Sequence, residues 1–251
     1  TSWVDLVGNI TIEFDNASQE DFVILKSDGY PTYNFAHVVD DHLMEITHVI
    51  RGNEFISSVP KYIMLHQALG WEVPGYAHLP LLLGTDKSKL SKRHGAKSVL
   101  EFRDEGYLKE AILNYMAFLG WTPPSGKEIL TLEEMIGEFD LADMNLASPI
   151  FDIAKLNWLN GEYIRSASDD DLAVLVWEYL GQKYEKEKIL KIIPLVKERM
   201  GTLADFMNLA GQLLTGNAPP PLAVTQSYPS NISDATISIV RSVPEWNREN
   251  L

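Results

Sequence analysis

The chain has 251 residues, 45% of them hydrophobic, enough to bury a sizeable core and to form two domains rather than one. Its formal net charge is −14 and it has no cysteine, which excludes disulfides, thiol catalysis and cysteine-bound zinc and leaves any nucleic-acid contact to local basic patches. No apolar run of about 18 residues occurs, and Thr1-Ser2-Trp3-Val4-Asp5 has neither the basic start nor the apolar core of a signal peptide, so a cytoplasmic protein without membrane contact is expected.

In chain order, residues 9–14 alternate apolar and polar side chains as a half-buried strand does, and Asp15-Asn16 supplies a turn. Phe22-Val23-Ile24-Leu25 reads as a second, more buried strand. Ser27-Asp28-Gly29-Tyr30-Pro31 has the composition of a tight turn, with Pro31 and Thr32 placed to start a helix from Tyr33 to Met44. Ile46-Thr47-His48-Val49-Ile50 is a short β-branched strand. A helix follows over about 57–69, with Ser57 or Ser58 as cap and Gly70 as stop. His78 to Leu83 reads as a further buried strand. Alternating strands and helices predict a parallel α/β sheet, in which ligands sit beyond the carboxyl ends of the strands, where Arg51 also falls.

From Val99 the pattern turns helical, with apolar residues at helical spacing over 107–119, 131–139, 152–164, 169–180 and 184–214. This predicts a second, all-α region. Residues 216–233 are proline-rich and read as a linker or long loop before an amphipathic piece at 235–243.

The densest chemistry lies in Gly84-Thr85-Asp86-Lys87-Ser88-Lys89-Leu90-Ser91-Lys92-Arg93-His94-Gly95-Ala96, a basic segment bounded by glycines and placed after an apolar strand. A mobile cationic loop of this kind suits a polyanion whose charge grows during a reaction, because lysine ammonium groups on flexible stems follow developing charge. From lysine and arginine density alone, a solvated surface segment or a localisation signal is an equal reading. For Arg51 the plainer reading is a strand-end salt bridge to Glu54 or to Asp40 or Asp41. Asp40-Asp41-His42 does not form a compact metal site, because consecutive helical residues point about 100° apart, and a hydrogen-bonding role at the helix end fits better. His48, on an apolar strand, reads as structural. The six tryptophans share no period and read as packing residues.

Lys89-Leu90-Ser91-Lys92-Arg93, extended by His94-Gly95-Ala96, resembles the KMSKS signature of class I aminoacyl-tRNA synthetases in its glutamyl-tRNA synthetase form. The resemblance extends to Asp28-Gly29-Tyr30-Pro31-Thr32-Tyr33-Asn34-Phe35-Ala36, Val38-Val39-Asp40-Asp41-His42, Thr47-His48-Val49-Ile50-Arg51-Gly52 and His78-Leu79-Pro80-Leu81. It continues through Leu113-Asn114-Tyr115, Leu119-Gly120-Trp121, Phe151-Asp152 and Lys155-Leu156-Asn157-Trp158-Leu159-Asn160-Gly161. These runs keep the family's order over about residues 8–165 and match the second half of its catalytic domain.

The resemblance implies an α/β fold: the second half of a Rossmann-type parallel sheet over 1–98, a stem-contact helical region over 99–165, and over 166–251 the start of a helical anticodon-binding region. It also implies ATP-dependent attachment of glutamate to tRNA through a glutamyl-adenylate. Lys89 and Lys92 would bind the ATP phosphates and stabilise charge on the α-phosphate and departing pyrophosphate. Leu90, Ser91 and Arg93 would act in the same loop, Leu82 would offer backbone groups to adenine, and Glu54 would wall the nucleotide pocket. Tyr33, His37 and Arg51 would hold glutamate, an assignment that suits the bidentate match of a guanidinium to a carboxylate. Magnesium is expected to accompany ATP, with no protein ligand for a metal, and the partners expected are tRNA, L-glutamate and ATP, the protein acting as a monomer. Lys155, Arg165, Lys197 and Arg199 are candidates for local RNA contacts.

Asn53-Glu54-Phe55 departs from the family, where an acidic pair precedes His or Trp, and His37 stands at a variable pocket position. No His-Ile-Gly-His motif is present, so the chain is expected to be a fragment, inactive alone. Glutaminyl-tRNA synthetase, a relative that glutamylates a tRNA base, and a non-catalytic RNA-binding half-fold are the alternative readings.

Overall fold

The computed structural model describes residues 1–94 and 97–215, with His94 described in its backbone only. The proline-rich stretch at 216–233, the piece at 235–243 and the last two residues of the basic segment lie outside the described residues.

Packing divides the chain into two compact units, one formed by the described residues of 1–96 with Leu113–Ile153, the other by Lys97–Ile112 with the described part of 154–251. The first unit is built on a four-stranded sheet. Its strands are β1 (Ser2–Asp5), β2 (Ile10–Glu13), β3 (His48–Gly52) and β4 (Gly75–Leu79), in the order β2-β1-β4-β3. β1 pairs with β2 in antiparallel register, while β4 runs parallel to both β1 and β3. Helix α1 (Tyr33–Leu43) precedes β3, and α2 (Val59–Leu69) connects β3 to β4 as the crossover that parallel strands require.

Local chemistry accounts for the helix bounds. Thr32 is extended at the start of α1, and its hydroxyl donates to the Val23 carbonyl (2.9 Å) rather than capping the helix. Pro60 occupies the first turn of α2, where its missing N–H costs nothing, and Gly70 ends the helix in the left-handed region at φ 72°. Ser58 takes the cap position without a side-chain bond. One cluster of Val38, Val59, Tyr62, Ile63 and Tyr76 fills the space between these helices and the sheet. A second, around Trp121, Leu130 and Met135, lies with α5 (Leu132–Glu138), which a reciprocal Thr131–Glu134 capping box starts.

Several expectations are corrected here. Phe22–Leu25 is not a buried strand: Val23, Ile24 and Leu25 are exposed, and Leu25 makes only an isolated bridge to Pro31 across the turn at Gly29. Four apolar residues in a row carry no period, and no neighbouring strand lies beside them. The strand expected at Ile46 starts two residues later, after Glu45 takes a positive φ of 55°. The strand expected at 78–83 ends at Leu79, because Pro80 has no N–H to continue the ladder. Strand β1 was not foreseen at all.

The second unit is helical. It contains α3 (Val99–Asp104), started by a Ser98–Glu101 capping box, the beginning of α4 (Lys109–Phe118), and α6 (Ile153–Ser166) from Ala154 onward. Then follow α7 (Asp169–Tyr179), α8 (Lys186–Val196) and α9 (Asp205–Thr215). The continuous pattern at 184–214 is therefore two helices, divided by the turn at Met200–Thr202. Leu172, Val176, Ile189, Ile193 and Phe206 form its core. Buried Asn160 links α6 to two loops, accepting from the Leu108 N–H (2.8 Å) and donating to the Gly201 carbonyl (2.5 Å).

Candidate functional site

The carboxyl ends of β3 and β4 carry the predicted residues. β3 and β4 pair with Val49 opposite Tyr76 and Arg51 opposite His78. Because alternate residues of a strand share a face, Arg51, Tyr76 and His78 project from the same side of the sheet. The Arg51 guanidinium lies over three aromatic rings, 4.6 Å from the centre of Tyr62, 5.1 Å from Phe55 and 5.5 Å from Tyr76. It forms no ion pair among the described residues, so the strand-end salt bridge is not what the structure holds. Its Nε and Nη2 are buried without acceptors. Leaving two charged donors unmet is costly.

Tyr33 and His37 complete this box from the first turns of α1. Their rings are 5.2 Å apart, and Tyr33 also lies 6.4 Å from Phe55. His37 packs edge-on against Tyr62 at 4.2 Å. Its Nδ1 pairs with Asp41 Oδ2 at 3.2 Å, one helical turn on, and its Nε2 is buried without a partner. Burial lowers the His37 pKa below 6.5, outweighing the opposing pull of Asp41, and nearby Arg51 adds to the lowering. The ring is therefore neutral at pH 7, with its proton on Nδ1 toward Asp41 and an acceptor lone pair on Nε2.

Residues 82–90, which take in the start of the basic segment, form a hairpin. Leu83 bridges Lys89, the Leu90 N–H donates to the Leu82 carbonyl (2.8 Å), and the Gly84 N–H donates to the Ser88 carbonyl (2.8 Å). Lys87 takes a left-handed φ of 61° at the tip, and Asp86 accepts from the Ser88 amide and hydroxyl. The hairpin is anchored on its other side, where Leu83 pairs in parallel with Ile150. A short 3-10 turn at Lys92–His94 follows, and Arg93 reaches back to the Ser88 hydroxyl (3.3 Å). Lys89 and Lys92 are exposed.

Glu54 connects the two clusters. It lies in the 3-10 turn after β3, and its carboxylate folds so closely over Gly52 that a Cβ there would fall 2.0 Å from Oε2. Its Oε1 lies 3.9 Å from Lys89 Nζ. The structure thus gathers Tyr33, His37 and Arg51 into one box and joins Lys89 to Glu54. It shows no contact that brings Lys92 into either group.

Sequence reasoning did not single out Phe55, Tyr62, Tyr76 or Asp41 as parts of the site. The i, i+4 spacing of His37 and Asp41 was the available signal. Nor did it foresee the buried pair of Asp5 and His78, in which Asp5 accepts from His78 Nδ1 (2.5 Å) and from the amides of Val7 and His78 (3.1 Å each). Of the candidate RNA-contact residues, Lys155 lies 4.2 Å over the Trp158 ring, Arg165 pairs with Glu162, Lys197 pairs with Asp169, and Arg199 is exposed.

The family model of the class I tRNA synthetases (E and Q), catalytic domain, matches residues 1–158. A glutamate–tRNA ligase of Saccharophagus degradans is 48% identical over 208 residues, 83% of this chain and 41% of that protein. One from Clostridium tetani is 49% identical over 257 residues, 98% of this chain and 52% of that protein. Among solved structures, a glutamate tRNA ligase from Elizabethkingia meningosepticum in complex with its amino acid superposes with a TM-score of 0.78 at 33% identity, over 96% of this chain and 52% of that one. The chain thus spans about half the length of the curated relatives it matches.

Proposed function

Since the chain belongs to the class I tRNA synthetases of the glutamate and glutamine type, we propose that it serves in a glutamate–tRNA ligase. The observation that carries this reading is the half-buried Arg51, with two buried, unmet donor nitrogens in an aromatic box at the end of β3, near the cationic hairpin that follows β4. One cluster suits a carboxylate, the other a polyphosphate.

In the first step an oxygen of glutamate's α-carboxylate attacks the α-phosphorus of ATP, and the bond to the bridging oxygen breaks to release pyrophosphate. Lys89 and Lys92 meet the charge that grows on the phosphorus and on the leaving group, with Ser91 and Arg93 completing the loop contacts and Leu90 holding the hairpin closed on Leu82. The Leu82 backbone lies against adenine. In the second step the terminal ribose hydroxyl of tRNA attacks the acyl carbon and AMP departs. No protein nucleophile is needed, so the residues act by positioning and electrostatics. Tyr33, His37 and Arg51 hold the amino acid, and the neutral His37 Nε2 accepts from the substrate's ammonium.

Glu54 holds Lys89 until phosphate oxygens replace it, an exchange that costs little because an exposed pair at 3.9 Å is weak. Magnesium would enter with ATP, carried on its phosphates. Residues 1–98 would act as the catalytic half-sheet, 99–165 as the stem-contact region and 166–251 as the start of the anticodon-binding helices, in a monomeric cytoplasmic enzyme. Among the described residues no helix is long and apolar enough to cross a membrane.

The test is glutamate-dependent exchange of pyrophosphate into ATP, with glutamate tRNA supplied, by an intact synthetase carrying this sequence. Exchange driven by glutamine and not by glutamate would refute the reading.

A further inference from the structure

Tyr76 has no role in the reading above, yet it shares the Arg51 box. Its side chain is 1% exposed and its hydroxyl is buried with no hydrogen-bond partner. The neighbouring Tyr62 differs: its hydroxyl donates to Asn34 Oδ1 at 3.0 Å and is spoken for. Buried tyrosines that serve packing alone find an acceptor for the O–H, or the position tolerates phenylalanine. Three buried donors without partners therefore belong to residues of one box: Arg51 Nε, Arg51 Nη2 and the Tyr76 hydroxyl. Burial raises the phenol's pKa well above its ordinary value, despite the opposing effect of Arg51, so the O–H keeps its proton.

We propose that the Tyr76 hydroxyl is a further donor to the side-chain carboxylate of the amino-acid substrate, acting beside Arg51 and sharpening selection of that carboxylate over the isosteric carboxamide. The inference rests on the glutamate reading of the site. The reacting α-carboxylate must stay free to attack phosphorus, so the carboxylate held by enclosed donors is the other one. A carboxylate offers only acceptors and can meet all three donors. A carboxamide offers one acceptor and one NH2, so a guanidinium N–H and the hydroxyl compete for the same oxygen. The hydroxyl can turn and accept from the NH2, but that bond is neutral and lacks charge assistance. Tyr76 thus selects by strength of bonding rather than by exclusion.

Tyr76→Phe keeps the ring and removes only the unmet hydroxyl. L-glutamate and L-glutamine are titrated calorimetrically into an intact synthetase carrying this sequence and into its variant, and thermal unfolding is followed in parallel. The expected result is a glutamate Kd raised about tenfold and a glutamine Kd raised by less than about threefold, with an unfolding midpoint unchanged or higher. An unchanged glutamate Kd, or equal weakening of both ligands, overturns the inference while leaving the glutamate reading standing. A lowered unfolding midpoint also overturns it, since it shows that the hydroxyl has a partner within the protein. A wild-type intact synthetase that fails to bind glutamate overturns the reading and the inference together.

Discussion

Arg51→Met removes the guanidinium while keeping most of the aliphatic stem, and separates what Arg51 does for the fold from what it does for a ligand. In the unliganded protein two of its N–H groups are buried without acceptors, each costing about 1–3 kcal/mol. Three aromatic rings between 4.6 and 5.5 Å offset this, at about 0.5–2 kcal/mol each. The two sides nearly cancel, so the variant's unfolding free energy should lie within about 2 kcal/mol of the wild type in urea denaturation. Ligand binding has no such cancellation. Losing the charged partner of a buried carboxylate costs about 2–5 kcal/mol, so glutamate should bind about thirtyfold to several thousandfold more weakly in calorimetric titration. A variant that binds glutamate within about threefold of the wild type, or one destabilised by more than about 4 kcal/mol, would show that Arg51 is a structural residue and that the box is not the amino-acid site.

Lys92→Ala should lower the rate of glutamate-dependent pyrophosphate exchange by at least about a hundredfold without moving the unfolding midpoint, because the side chain is exposed and supports no core; unaltered exchange would remove Lys92 from the phosphate site. Asp5→Ala should destabilise the first unit by about 3 kcal/mol, since it strands two amides and the His78 ring N–H, and a loss below about 1 kcal/mol in urea denaturation would contradict that account. His37 binds its proton less readily in the folded state than its unfolded value of 6.5, so below that pH the unfolded state takes up more protons and stability falls until the folded pKa is passed. His37→Asn should lose this component, so the drop in stability between pH 7.5 and about pH 5.5 should be smaller than in the wild type; equal drops would mean that the ring is not held neutral by burial.

How much could be read in advance follows from which interactions are local. The bounds of α1 and α2 are set by Pro31, Thr32, Pro60 and Gly70, so they were legible to within a residue or two. β1 and the failed strand at Phe22–Leu25 depend instead on what lies beside them. Val4 is 51% exposed within a true strand, while Ile24 and Leu25, at 38% and 52%, lie in no strand at all, and apolar composition cannot separate the two. For the candidate site, resemblance points to Arg51 and Tyr33, where spacing alone favours a salt bridge and a core aromatic. Tyr76, Tyr62 and Phe55 join the candidate site only through strand register and ring packing, which bring together positions 11 and 25 residues distant from Arg51 and one within the turn that follows it. Buried donors without acceptors cannot be seen in a sequence at all, and they carry the functional argument.

The parallel pairing of β3 and β4 explains why the two clusters proposed to bind anions lie in one place. In-register neighbours end at the same edge of the sheet, so Gly52, which closes β3, stands opposite Leu79, which closes β4. From the first end the chain passes into the 3-10 turn that presents Glu54 and Phe55, and from the second through Pro80 into the hairpin that presents Lys89. Phe55 therefore faces the Arg51 box while its neighbour Glu54 reaches Lys89, and a single dipeptide touches both clusters. A ligand bridging them needs a carboxylate at one end and a polyphosphate at the other. Glutamate and ATP, the substrates proposed above, would meet that demand when placed side by side, and neither alone would use both clusters.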